Sequence, residues 1–136
     1  MHFQRAAPEK LPHAINRYRR EAARHYQVLE DHLAAKDGTG HDGTARDFIV
    51  GGEYTIADIS AWGWVDRAQF VFFGDEQPLA PFPHIRRWFQ AINSRPVVAQ
   101  ARRIGTDHAF KKEQDEEAKR HLYPSNYPGN AAASAA

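Results

Sequence analysis

Ile15, Tyr18, Ala22, Tyr26, Leu29 and Leu33 recur at spacings of three and four through a stretch dominated by Arg, Ala, Glu and Leu and poor in β-branched residues. That period puts all six on one stripe of a helix, and the composition supports helix rather than strand. Pro12 fits only in a first turn, where its missing N–H is not needed. The spacing therefore predicts a long helix from about Leu11 to Ala35.

Few folds accommodate such a helix unless further helices cover its stripe, and the rest of the chain supplies them. The segment "KDGTGHDGTARD" carries glycines at 38, 40 and 43 among small polar residues and reads as a loop. "FIV" stops at Gly51 and Gly52 and reads as a buried extended connection. Next comes "YTIADISAWGWV", in which Thr55 and Asp58 stand three apart at the head of an apolar run. Thr55 can accept the Asp58 N–H while the Asp58 carboxylate reaches back to the Thr55 N–H, a capping box with Asp in place of Glu. Tyr54 and Ile59 occupy the flanking positions of a hydrophobic staple. From Ile56 to about Phe73, apolar residues including Trp62, Trp64, Val65, Phe70 and Phe72 wrap most of the way round. A helix of that kind is expected at the centre of a bundle.

Pro83 is placed to open another helix, with Ile85, Trp88, Phe89 and Ile92 on one face. "NSRP" interrupts it, and Pro96 opens a short helix expected to turn Val97, Ala101 and Ile104 inward. With no period-two segments, the fold class is all-α. After Gly105 charge dominates: "FKKEQDEEAKRHL" offers Lys112 to Glu116, Asp115 to Lys119 and Glu116 to Arg120 at helical spacing. Such a helix needs Phe110 or Leu122 to dock if it is to persist. The closing "YPSNYPGNAAASAA" is a tail without a core, and its last residues are expected to be disordered.

Several function classes are excluded or disfavoured. With 136 residues and 42% hydrophobic side chains, one soluble domain is the expectation. Eighteen basic and 17 acidic side chains give a net charge of +1, too small a field to recruit nucleic acid or an anionic membrane. No run approaches the roughly 20 apolar residues of a membrane span, and the N-terminus lacks a secretory pattern, so a cytoplasmic location is expected. There is no cysteine, which removes disulfides, zinc thiolates and a cysteine nucleophile. The eight histidines are scattered, with no HExxH, and His25 and His32 alone do not make a metal site. No metal is expected. G-x-S-x-G, P-loop and dinucleotide fingerprints are likewise lacking. Arg17 lies off the apolar stripe and, on spacing alone, reads as a solvated residue paired with Glu21. Tyr18 and Tyr26 read as core.

Three segments together carry a family resemblance: "HFQRAAPEKLPHAINRYRREAARHYQVLEDHLA", "YTIADISAWGWV" and "FPHIRRWFQAINSRPVVAQA". The chain resembles the C-terminal helical domain of a glutathione transferase, over Met1 to about Arg103. Its "HF...AP...AI.RY" segment is similar to the nu-class bacterial enzymes and the related yeast nitrogen-catabolite prion protein. The resemblance implies a glutathione-transferase helical bundle at 1–105, lacking the first helix of the family's helical domain, followed by a charged helix and tail at 106–136. It further implies an intact protein with an N-terminal thioredoxin-like domain, usually a homodimer. That protein conjugates glutathione to small electrophiles or reduces disulfides with it, the bound tripeptide supplying the sulfur this chain lacks. Carried over by position, Arg17 would help hold glutathione carboxylates, as a planar guanidinium suits. His2 and Phe3 would approach the substrate wall. Thr55 and Asp58 would keep a folding role, and no catalytic residue falls in the chain. Gly63 stands where many relatives carry Pro. Alone, the chain is expected to be weakly active or inert and to self-associate through apolar faces that a missing helix would cover; a gene fragment or a start at an internal Met codon would account for it. A non-catalytic protein-interaction module of the same fold is the competing expectation.

Overall fold

The computed structural model describes residue 3 and residues 7–36, 44–107 and 114–127. Among the described residues six helices follow one another: α1 Pro12–Leu33, α2 Ile56–Val65, α3 Ala68–Val71, α4 Pro83–Asn93, α5 Pro96–Asp107 and α6 Glu116–Leu122. A 3-10 turn at Pro124–Asn126 comes last. Among the described residues there is no strand, only the isolated bridges Phe48 to Gly51 and Val50 to Glu53 in the connection before α2. The all-α expectation holds.

α1 starts on Pro12 and ends as its sequence allows. Lys36 N–H donates to Asp31 O at 2.8 Å and Ala35 N–H to His32 O at 3.1 Å, closing the helix with Ala35 at φ 57°. This is the Schellman arrangement, with alanine in the left-handed position that glycine ordinarily fills. The stripe behaves as expected at its C-terminal end, where Leu33 is fully buried and Tyr26 and Leu29 pack against the core. At its N-terminal end it does not: Tyr18 is 58% exposed.

The centre of the molecule is α4 rather than α2. Ile85, Trp88 and Ile92 are buried together with Leu33, Val65, Phe82 and Val98, and α4 lies against α1, α2 and α5. The helix foreseen from Ile56 to Phe73 is two helices. Its ladder tightens where Arg67 N–H turns to Trp64 O, and the Asp66 carboxylate is drawn off by Arg102. Only the flank of α2 carrying Asp58, Ala61, Trp62 and Val65 enters the core, while Ile56 is 81% and Trp64 76% exposed. The apolar wrap of α2 thus exceeds what the described residues cover.

A second correction concerns α5. Val98 is its buried contact, whereas Val97 and Ile104 are exposed at 59% and 58% and Ala101 is exposed too. The turn at Ser94–Arg95, with Val98 N–H bonded to Arg95 O, rotates the helix by about one residue from the expected face.

Two buried carboxylates hold the bundle together. Asp58 completes the capping box by accepting Thr55 N–H at 2.9 Å, and Thr55 Oγ1 accepts Ala57 N–H at 3.3 Å. The same carboxylate reaches beyond its own helix, accepting Ile49 N–H at 2.9 Å and the Trp88 indole N–H at 2.8 Å. It therefore joins the extended connection, α2 and α4 at one point with no solvent exposure. Tyr54 packs edge-on to Phe48 with ring centroids 5.5 Å apart and lies under the Arg95 guanidinium, 4.0 Å away. Ile59, the other staple position, stays 53% exposed.

Glu30 is the second. α4 begins on Phe82 and Pro83, neither of which can cap it with a side-chain acceptor. Glu30 of α1 does so from across the bundle, accepting His84 N–H at 3.0 Å and Ile85 N–H at 2.9 Å. Its Oε1 also meets the imidazole Nδ1 of His84 at 2.7 Å, which makes that nitrogen the donor. Burial by itself pushes the Glu30 carboxyl up, but the N–H groups of Ile85 and His84 and the His84 ring together leave it below its ordinary value.

The charged helix is shorter than expected. α6 is capped by Asp115, which accepts Ala118 N–H at 2.8 Å. Lys119 pairs with Glu116 at 2.7 Å, and Tyr127 O–H also donates to Glu116. Leu122 is exposed. Phe110, Lys112 and the tail from residue 128 lie outside the described residues.

Candidate functional site

Helical geometry gathers polar residues on the N-terminal half of α1. His13, Arg17, Arg20 and Arg24 follow at spacings of four, three and four, and therefore share one face. With Asn16, Tyr18 and Glu21 they line an open groove of about 590 Å³. Three guanidiniums and one carboxylate make it locally basic in a chain of near-neutral charge.

The spacing-based pairing of Arg17 with Glu21 is not the one formed. Arg24 takes Glu21 instead, donating from Nε at 3.2 and 3.1 Å and from a terminal nitrogen at 2.7 Å. This hydrogen bonding, followed by the charges of Arg24, His25 and Arg17, holds the Glu21 carboxyl below its ordinary value. Arg17 makes no hydrogen bond or ion pair among the described residues. Its donors are available to a ligand acceptor.

Tyr18 supplies the aromatic part of the groove. The Phe3 ring stacks on it with centroids 5.7 Å apart and an interplanar angle of 22°. Phe3 thus stacks on a groove-lining tyrosine whose spacing assigns it to the core. Its spacing could not reveal this, because Tyr18 fits the apolar stripe as well as any residue on it. His2 lies outside the described residues.

Such an arrangement can hold an anion by bidentate donation beside a stacked aromatic pair. Tyr54, Thr55, Asp58 and Ile59 lie instead in and beside the cap of α2, consistent with the folding role assigned to that motif. His25 bonds to the Glu21 carbonyl and His32 to the Ile49 carbonyl, both at 2.8 Å. Among the described residues no group of three or more His, Asp or Glu side chains converges. No described helix is long and apolar enough to cross a membrane.

Sequence comparison gives these features a context. The family "Glutathione S-transferase, C-terminal domain" matches residues 12–91, which takes in α1 to α3, most of α4 and both buried carboxylates. The disulfide-bond oxidoreductase YghU of Escherichia coli is 32% identical over 122 residues, covering 83% of this chain and 37% of that protein. The disulfide-bond oxidoreductase YfcG of the same organism is 36% identical over 100 residues, covering 74% of this chain and 40% of that protein. A GST-like protein of Streptococcus mutans is 36% identical over 104 residues, 74% of this chain and 36% of its own length. The chain accordingly spans less than half the length of each of these relatives. On the family match, the helical architecture and these relatives, the chain belongs to the glutathione S-transferase C-terminal domain family.

Proposed function

We propose that this chain is the helical domain of a glutathione-dependent enzyme that reduces disulfides or conjugates glutathione to small electrophiles, and that Arg17 receives a carboxylate of the tripeptide. The observation that carries the reading is Arg17 itself. Its neighbour Glu21 is engaged by Arg24, which leaves a guanidinium with unused donors in the groove it lines together with Tyr18. Two relatives named as disulfide-bond oxidoreductases favour disulfide reduction over conjugation.

In this reading residues 1–105 form the helical domain and 106–136 an appended charged helix and tail. The groups that activate the thiolate belong to a thioredoxin-like domain, and the working protein is a cytoplasmic homodimer. The chain contributes the electrophile or disulfide wall and one anchor for glutathione, with no metal. Titration of the chain with glutathione, followed by isothermal calorimetry, tests the anchor. Arg17→Gln should weaken binding about tenfold, the scale of one charge-assisted bond. Equal affinity of wild type and Arg17→Gln would remove Arg17 from the site.

A further inference from the structure

Glu21 stands between two guanidiniums on α1, four residues after Arg17 and three before Arg24. Both spacings bring side chains together on a helix. Arg24 takes the carboxylate with both oxygens engaged, its Nε reaching Oε1 at 3.2 Å and Oε2 at 3.1 Å and a terminal nitrogen reaching Oε1 at 2.7 Å. Residue order favours this outcome. A carboxylate N-terminal to its cation pairs better along the helix dipole than the reverse, so Glu21 with Arg24 is preferred over Arg17 with Glu21.

Arg17 is nevertheless within electrostatic reach of the same carboxylate. Hydrogen bonding from Arg24 is first among the influences that lower the Glu21 carboxyl, and the charges of Arg24, His25 and Arg17 add to it. His25 Nδ1 lies 3.7 Å from Oε1, an ion partner only when protonated, and bonds the Glu21 carbonyl at 2.8 Å. With 51% of its side chain exposed, Glu21 is not locked in place by packing. Once Arg24 is removed, Arg17 is its alternative partner at helical spacing. A carboxylate seated there would occupy the guanidinium edge that an incoming carboxylate needs, and would repel it.

We infer, given a glutathione carboxylate on Arg17, that Arg24 is a positioning residue of that site: it holds the Glu21 carboxylate aside so that the Arg17 guanidinium stays open, a role that rests on that reading of the groove. A keeper of this kind is distinct from one more positive charge. A charge attracts an anion whatever Glu21 does, whereas a keeper matters only while residue 21 carries a carboxylate. Because the pair is exposed, the competition is modest, about threefold in affinity.

The 136-residue chain is titrated with glutathione by isothermal calorimetry near neutral pH and at low ionic strength, as wild type, Arg24→Gln, Glu21→Gln and the double variant. Arg24→Gln should bind about threefold more weakly, and adding Glu21→Gln should return most of that loss. Arg24→Lys, which keeps a cation three residues after Glu21, should lose less. Without ligand, the Arg17 Nε resonance of the nitrogen-15-labelled chain should shift in Arg24→Gln and move back in the double variant. Far-UV circular dichroism should match the wild type throughout, since the pair is on the surface. The role of Arg24 is overturned if the effects of Arg24→Gln and Glu21→Gln on affinity simply add, or if Arg24→Gln leaves the Arg17 resonance unmoved. A wild type that does not bind glutathione, or an Arg17→Gln variant that binds it equally well, refutes instead the assignment of Arg17 to glutathione, and the role of Arg24 in binding falls with it.

Discussion

Replacing Asp58 with alanine tests what holds this fold together. The carboxylate is fully buried and accepts three N–H groups at 2.8 to 2.9 Å, from Ile49, Thr55 and Trp88, with a longer contact from Thr55 Oγ1 at 3.3 Å. Each orphaned buried donor costs about 1–3 kcal/mol, although water entering the vacated space recovers part of that. Loss of the cap adds about 1 kcal/mol. The expected destabilisation is about 3–5 kcal/mol, a large share of the 5–15 kcal/mol typical of a whole domain. Urea unfolding at fixed protein concentration, followed by tryptophan fluorescence and far-UV circular dichroism, measures it. Asp58→Asn retains one acceptor oxygen but turns an amino group toward a donor, so its loss should be smaller, about 2 kcal/mol. Trp88→Phe removes one donor and keeps most of the ring. In a double-mutant cycle it should couple with Asp58→Ala, because the indole N–H is no longer there to be orphaned. A loss below about 1 kcal/mol for Asp58→Ala, or strict additivity with Trp88→Phe, would refute the view that this carboxylate ties the 48–53 connection and α2 to α4.

Glu30 links stability to pH. Its folded pKa lies below the ordinary 4.5, so its contribution is present above that value and disappears as pH falls through the lower folded value; Glu30→Gln should flatten that part of the acid limb of the chemical-denaturation profile. Ala35→Gly should stabilise the chain by about 0.5–1 kcal/mol, because the left-handed position at φ 57° suits glycine; a lower unfolding midpoint would contradict this. The bare face of Ile56, Ile59 and Trp64 should drive self-association, seen by sedimentation velocity as a concentration-dependent increase in mass. Ile59→Glu with Trp64→Glu should reduce that association, and a clean monomer at all concentrations would rule it out.

Local signals in the sequence were sufficient wherever a segment's own residues make the structure. Pro12 and Pro83 start their helices, Thr55 and Asp58 cap α2, and the spacing of Ile85, Trp88 and Ile92 gives the inward face of α4. The same reasoning nominated Arg17 and Phe3 only through family resemblance, since exposure and stacking leave no mark on periodicity. Glu30 did carry an overlooked signal: a carboxylate four residues after Tyr26, at the edge of an apolar stripe, facing a later helix that has no cap of its own.

Helix class and most helix starts were determined by the sequence alone, because they depend on bonds between residues three and four apart. Tertiary structure decided which helix is central, which face of α5 is buried, and which acceptor serves which donor. Asp58 meets Trp88 across 30 positions, and Glu30 meets Ile85 across 55. Such partners are chosen by the packing of whole helices, and a buried N–H accepts whichever carboxylate that packing delivers.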